Sequence, residues 1–353
     1  MDDALVDADD AGVRSGRARR RLIRRLGIVP LCVILAECGS EPAQEAALNP
    51  DIPPEGDLPG AGGIRIHYRV LGAGPDTVVA VHGGPGAGMH AILPEIEPLA
   101  EERTVVFYDQ RGGGLSELPS DTTLLEAPHM VADLEAVRRF FGLERMSLIA
   151  HSFGSILVAR YAEEHPERIE RIVLFGAVGP SREEAGALAR AAARPPDPGR
   201  LARLQAVMAS LLSGETIDPV ADCEEYEAIG REMALARGES GAWKGTNCAM
   251  PPEAVRYYFR YTAQIGPRSF GNWDFTESLR ELDAPLLVIH GDNDLAAVAL
   301  QRQWAAAVPN GRLLLVSDAG KAVSADRPDV FFPAVESFLG GEWPAGAEPV
   351  SAE

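Results

Sequence analysis

The stretch Leu148-Ile149-Ala150-His151-Ser152-Phe153-Gly154-Ser155 decides how the chain is read. Residues 146–149 form a short apolar run of strand type, and Ile156, Leu157 and Ala159 begin an apolar pattern of helical spacing. Between them stands a serine flanked at short range by Ala150 and Gly154. One reading is a strained strand-to-helix turn that lifts the Ser152 hydroxyl above a sheet, with small neighbours because backbone passes close to backbone. The other is a serine N-cap of the following helix. These residues alone support both, so the flanking sequence has to choose.

Working outward, 77–81 (TVVAV) and 104–108 (TVVFY) are continuous β-branched and aromatic runs, the mark of strands buried on both faces. Residues 64–70 alternate like a half-buried strand. Val131, Leu134, Val137 and Phe141 space out a helix over 131–141. After Ser152 the pattern predicts a helix over 155–165 and a strand over 171–175. It resumes later with a strand at 285–289, a helix at 296–308, a strand at 312–316 and a helix at 329–339. Strands alternating with helices predict an α/β fold whose mostly parallel central sheet carries helices on both faces.

From Pro180 to about Leu282 that rhythm breaks. The segment is rich in Ala, Arg and Glu, has helical stretches at 183–193 and 201–212, and lacks buried-strand runs, so it reads as a mainly helical insertion. Residues 39–63 are rich in Pro, Gly, Ala and Glu without periodicity and read as a flexible tether. The expected organisation is a signal peptide over 1–37, a tether over 38–63, a core in two parts over 64–179 and 284–340, a helical cap over 180–283, and a disordered tail over 341–353.

The 353 residues carry a formal net charge of -19, and no basic stripe crosses the body of the chain, which argues against nucleic acid as a partner. Of the 33 Lys and Arg residues only Lys244 and Lys321 are lysines. The N-terminus differs from the rest. Seven arginines between Arg14 and Arg25 precede an apolar run over 26–36, then Glu37-Cys38-Gly39-Ser40. A basic block before an apolar run too short to span a bilayer comfortably is a secretion signal. Its end, Leu35-Ala36-Glu37-Cys38, resembles a bacterial lipoprotein cleavage box, although Glu37 stands where that box prefers a small residue. The resemblance implies lipidation of Cys38, with the protein exported and held on a membrane facing the periplasm or the outside; a soluble secreted protein and an uncleaved anchor are the alternatives. Cys32 lies in the apolar run. Cys223 and Cys248 remain, and in an oxidising compartment they are candidates for a disulfide, two buried free thiols being the other reading.

Four loops at strand ends have unusual composition: His82-Gly83-Gly84-Pro85-Gly86, the Ser152 turn, His290-Gly291-Asp292-Asn293-Asp294, and Asp318-Ala319-Gly320-Lys321. Ligands of open α/β sheets bind at the carboxyl ends of strands. Acyl transfer needs a nucleophile, a base, an acid that orients the base, and two donors for the tetrahedral oxygen. The HGGPG loop, together with Asp109-Gln110-Arg111-Gly112-Gly113-Gly114-Leu115-Ser116 and the Ser152 turn, in that order, resembles an α/β-hydrolase of the proline iminopeptidase type over about residues 64–339. The resemblance implies an α/β-hydrolase fold with a helical cap, Ser152 as nucleophile and Asp294 as acid. It further implies an oxyanion hole built from the N–H groups of Phe153 and Gly84 (or Gly83). Acidic cap residues bind a substrate's amino group in this family, which makes Glu224, Glu225 and Glu227 candidates; a solvated helix face is the other reading. Asp292 competes with Asp294. His82 and His151 read as loop supports, and Asp109 and Arg111 as a structural ion pair. No metal-ligand spacing or nucleotide fingerprint appears, so no cofactor is implied, and the expected partner is a small molecule or short peptide.

One position departs from the family. The catalytic histidine is expected after Asp-Ala-Gly, where this chain has Lys321, and all seven histidines lie at or before His290. A lysine serves as base only if burial or a nearby cation lowers its pKa from about 10.4 toward 7. Three readings follow: a hydrolase using Lys321 or a recruited residue such as His151, an inactive relative that binds a ligand or acts as a scaffold, and a hydrolase disabled by substitution.

Overall fold

The computed structural model describes residue 48 and residues 51–192, 197–236, 239–293 and 295–351. The expected signal peptide, the lipidation candidate Cys38 and the acid candidate Asp294 lie outside the described residues. Among those described, no helix is long and apolar enough to cross a membrane.

Nine strands form one sheet in the order β1-β2-β4-β3-β5-β6-β7-β8-β9. They are β1 Glu55–Pro59, β2 Arg65–Leu71, β3 Thr77–Val81, β4 Thr104–Tyr108, β5 Met146–His151, β6 Ile169–Phe175, β7 Leu286–Gly291, β8 Gly311–Val316 and β9 Glu348–Pro349. The pairs from β4 through β3, β5, β6 and β7 to β8 are parallel, while β1–β2, β2–β4 and β8–β9 are antiparallel. The central strands are apolar on both faces because both faces are covered, and the pleat sends alternate residues to opposite sides. Val79, Val81, Leu148 and Ala150 join the core beneath α2 (Ala127–Phe140), α3 (Gly154–Glu164) and α9 (Leu295–Ala307). Val78, Ala80, Ile149 and Val173 join the core beneath the short α1 (Leu93–Ile96) and α11 (Pro328–Leu339).

Between β6 and β7 the chain forms α4 (Arg182–Ala192), α5 (Pro198–Ser213), α6 (Pro219–Ala236) and α7 (Pro252–Tyr257). A π turn at Tyr258–Thr262 then leads into α8 (Ala263–Ser269). These helices share their own core of Val207, Leu211, Ile229, Val255 and Phe259, which also takes in Ala87 from the glycine loop below. Within it Cys223 and Cys248 are joined by a disulfide, their Cα atoms 5.6 Å apart. The short α10 (Val323–Asp326) follows Lys321.

Two expectations need correction. Strand β1 lies in the stretch read as a flexible tether. Only Leu58 of its five residues is buried, so it shows no apolar period. It is held by pairing with β2, by Arg65 on Asp57 and Arg69 on Glu55, and by Gly56, where an added Cβ would stand 3.0 Å from the Tyr68 hydroxyl. The stretch read as a disordered tail contains β9 on the sheet edge and Trp343, which packs on Phe338 at 5.0 Å and under the Arg312 guanidinium at 4.4 Å. One aromatic anchor and two paired residues are too little to register as a pattern in the sequence.

Candidate active site

Ser152 has φ 52°, a left-handed conformation unusual for a residue with a side chain. It is imposed from both sides. A Cβ on Gly154 would stand 2.3 Å from the Val81 carbonyl oxygen, and one on Gly83 would stand 2.8 Å from Ser152 Cβ and 3.3 Å from Phe153 N. The end of β3, the glycine loop and the start of α3 therefore meet with no room for side chains. This resolves the two readings of the opening stretch: Ser152 lies on a tight elbow and caps nothing with its hydroxyl. Its carbonyl instead accepts from Ser155 N and Ser155 Oγ, at 3.1 and 2.7 Å.

The glycine loop is braced from the neighbouring strand. His82 Nε2 accepts from Gln110 N at 3.1 Å, so His82 Nδ1–H donates to the Gly83 carbonyl at 2.9 Å. The Gln110 side chain donates to the His82 carbonyl at 2.8 Å and accepts from Gly86 N at 3.1 Å. Burial holds the His82 imidazole below its ordinary range, against the pull of the Gly83 carbonyl and Asp109. His82 is thus a neutral strut. Phe153 N and Gly84 N, the expected oxyanion donors, make no hydrogen bond among the described residues.

Asp109 and Arg111 do not pair with each other, which corrects that expectation. Asp109 accepts from the backbone N–H groups of Met89 and Leu115, at 2.6 and 2.7 Å, and so closes its own turn. Arg111, with no exposed surface, makes two 2.6 Å bonds to Asp133 on α2 and donates to the carbonyls of Leu124 and Ala61 at 2.9 Å. A buried guanidinium needs a carboxylate, and the one in reach is 22 residues away in the chain.

The loop carrying Lys321 is fastened to the end of β7. Asn293 N donates to the Ala319 carbonyl at 3.0 Å, Gly291 N to the Gly320 carbonyl at 3.2 Å, and Asp318 N to Asp292 Oδ1 at 3.1 Å. Asp292, the competing acid, is thereby occupied with the turn. A Cβ on Gly176 would stand 2.9 Å from the Lys321 carbonyl oxygen and 3.0 Å from His151 Nε2, so position 321 and the His151 ring meet across that glycine. The Lys321 side chain is exposed. Burial first, then the nearby Lys321 and His290, hold the His151 imidazole well below its ordinary range. Its ring is stacked on Trp243 at 4.3 Å and packs on Phe175 at 5.0 Å. No side chain among the described residues hydrogen-bonds the Ser152 hydroxyl.

Trp243 opens a strap over the site that the sequence did not announce. Lys244 N and Gly245 N both donate to the buried Glu95 carboxylate, which also accepts from Ser324 Oγ on α10 at 3.3 Å. Thr246 N donates to the His90 carbonyl, and Asn247 N and Nδ2 donate to Glu227 Oε1 at 2.7 and 3.0 Å. Of the three acidic candidates, Glu227 is thus linked to the glycine loop through Asn247, whose Oδ1 would stand 3.2 Å from a Cβ on Gly84. Glu225 pairs with Arg203 at 2.6 Å, and Glu224 is exposed. All three line a cavity of about 580 Å³ together with Arg231. A second cavity of about 420 Å³ is walled by Trp243, Tyr226, Met233, Asn247 and Glu227. Among the described residues no cluster of His, Cys, Asp and Glu could hold a metal ion.

A family model described as alpha/beta hydrolase fold matches residues 76–328. The chain is 23% identical over 297 residues to a proline iminopeptidase of Heyndrickxia coagulans, covering 81% of this chain and 98% of that one. It is 24% identical over 296 residues to a proline iminopeptidase of Saccharolobus solfataricus, covering 78% and 89%. Among solved structures it resembles the proline iminopeptidase of Mycobacterium smegmatis, with a TM-score of 0.58 at 21% identity over 81% of this chain and 97% of that one. It resembles VinJ with a TM-score of 0.62 at 22% identity over 82% and 99%.

Proposed function

The chain belongs to the alpha/beta-hydrolase fold family, and on that premise we propose a serine hydrolase that opens an amide or ester bond through an acyl-enzyme on Ser152. The observation that carries this reading is the elbow itself, with Ser152 at φ 52° packed edge to edge on Gly83. Backbone strain of this kind costs about 1–3 kcal/mol and persists only where the surroundings over-determine it. In the proposed reaction Ser152 Oγ attacks the carbonyl carbon. The carbonyl electron pair moves onto oxygen, which accepts from Phe153 N–H and Gly84 N–H. The serine proton passes to the neutral amine of Lys321 and from there to the departing amine or alkoxide. Water then repeats the sequence on the acyl-enzyme and frees the acid.

The base is the weak part of this machine. A lysine works as a base only in its neutral form, which burial or a nearby cation has to favour over the ordinary charged one. Removing the histidine of a triad costs on the order of a millionfold. Turnover through Lys321 is therefore slower than through a histidine at the same position. A fluorophosphonate probe tests the reading: labelling of Ser152 in the parent and in Lys321→His supports it, and no labelling in either refutes it.

A second reading, an inactive homologue that holds a ligand, is favoured by two observations. His151 is stacked under Trp243, and no described side chain engages the Ser152 hydroxyl. Labelling confined to Lys321→His would select it. The relatives named proline iminopeptidase support a short peptide or small amide as substrate, with an ammonium group meeting Glu227 in competition with Asn247 and Thr246. Cleavage of a proline arylamide in preference to a simple ester would support that substrate, and ester turnover alone would count against it. Membrane attachment through a lipid on Cys38 completes the proposal, and loss of membrane fractionation in Cys38→Ser tests it.

A further inference from the structure

Tyr258 begins the π turn of the cap, a backbone irregularity that recurs at functional sites. The turn is seated on the glycine loops. Thr262 Oγ1 donates to the Gly112 carbonyl at 2.8 Å, and a Cβ on Gly86 would stand 2.0 Å from the Thr262 methyl. This fixes the other end of the turn over Gly84. A Cβ on Gly84 would stand 3.2 Å from the Tyr258 hydroxyl oxygen and 3.2 Å from Asn247 Oδ1. Only one of these two groups can donate. The Asn247 amide nitrogen is spent on Glu227, so its oxygen, an acceptor, faces the loop.

Tyr258 as a whole is 8% exposed, and its hydroxyl, which keeps some exposure, makes no hydrogen bond among the described residues. A hydroxyl held in place by packing and without a protein partner is free to donate to a ligand atom with no internal bond to break first. We propose that the Tyr258 hydroxyl is a third donor to the oxygen that gains charge at Ser152, beside Phe153 N–H and Gly84 N–H. This rests on the hydrolase reading above. The hydroxyl donates a hydrogen bond as the carbonyl electron pair moves onto oxygen and withdraws it as the tetrahedral species collapses; no proton leaves Tyr258. Burial, with Tyr226 and Glu227 nearby, pushes the phenol up from its ordinary range, so it stays a neutral donor at working pH.

The test is Tyr258→Phe, made in the parent and in Lys321→His, and read with a fluorophosphonate whose phosphoryl oxygen enters the same hole. Expected is a maximal labelling rate lowered about a hundredfold or more. The probe concentration at half-maximal rate should stay within twofold, and the melting temperature should be unchanged or raised, because the hydroxyl has no bond in the resting protein to lose. A purely structural tyrosine would lower the melting temperature instead. Labelling within twofold of the matched background overturns the assignment and leaves the hydrolase reading standing. No labelling of Ser152 in either background overturns the hydrolase reading, and the Tyr258 assignment falls with it.

Discussion

Replacing Gly83 by alanine tests how tightly the two halves of the elbow are fitted. The new Cβ would stand 2.8 Å from Ser152 Cβ, 3.0 Å from the His151 carbonyl oxygen and 3.3 Å from Phe153 N. Carbon atoms rest at about 3.5–4.0 Å, so the seam must open by roughly 0.7 Å. Ser152 cannot yield by rotation, since its φ is already in a strained region. The strain therefore separates the glycine loop from the start of α3. Those two elements carry the two backbone donors, and parting them stretches a bond of about 2.9 Å beyond useful length. Losing one donor of this kind costs about 10²–10³ in rate, and overpacking costs about 1–3 kcal/mol of stability. The assay is the rate of fluorophosphonate labelling at Ser152, measured in the Lys321→His background, together with a thermal melt. Gly230→Ala, where an added Cβ meets nothing within 4 Å, serves as the control and should leave the rate unchanged. A Gly83→Ala protein that folds and labels at the parent rate would show that the seam between the glycine loop and α3 does not position the donors.

Two further perturbations address stability. Asp133→Ala leaves the fully buried Arg111 guanidinium without its carboxylate and should cost about 3–5 kcal/mol, lowering the melting temperature by about 6–12 °C; a fall of under 2 °C would show that the pair does not hold the loop. His151 is held well below its ordinary range when folded. As pH falls below about 6.5 the unfolded chain takes up a proton that the folded protein refuses, so stability declines by at most about 1.4 kcal/mol per pH unit from this group. Denaturation midpoints between pH 7 and 5 should fall less steeply in His151→Phe than in the parent, and equal slopes would contradict the assignment.

What was legible in the sequence is what depends on neighbours in the chain. The elbow, the glycine loops and the continuous apolar strands each carry their signal within ten residues, because turn geometry and two-sided burial act locally. The sheet follows from them. What escaped is mostly long-range. Arg111 reaches Asp133 rather than Asp109, and Glu95 gathers the strap at Lys244 and Gly245 and the helix at Ser324. A lone acidic residue on an apolar helix face, as Asp133 is on α2, was the available hint. The strap escaped because Ala242 to Met250 has no period. Its conformation is set by Trp243 on His151, by Glu227 and by the disulfide at Cys248. The edge strand β1 and the anchored tail escaped because polar edge pairing leaves no apolar pattern. Position 321 was legible as a departure from the family, and its neighbours across Gly176 emerge only from the fold.

On the reading proposed above, Ser152 sits in a competent elbow whose reactivity is limited by the residue at position 321. The direct measurement is the rate of fluorophosphonate labelling at Ser152 between pH 6 and 9, in the parent and in Lys321→His. A histidine of ordinary pKa is mostly neutral at pH 7, whereas a lysine is ordinarily charged. The rate at pH 7 should rise in the variant and level off above that pH, where the imidazole is fully neutral. The parent should label more slowly than the variant at pH 7. A Lys321→His protein that melts like the parent and labels no faster at any pH would contradict it.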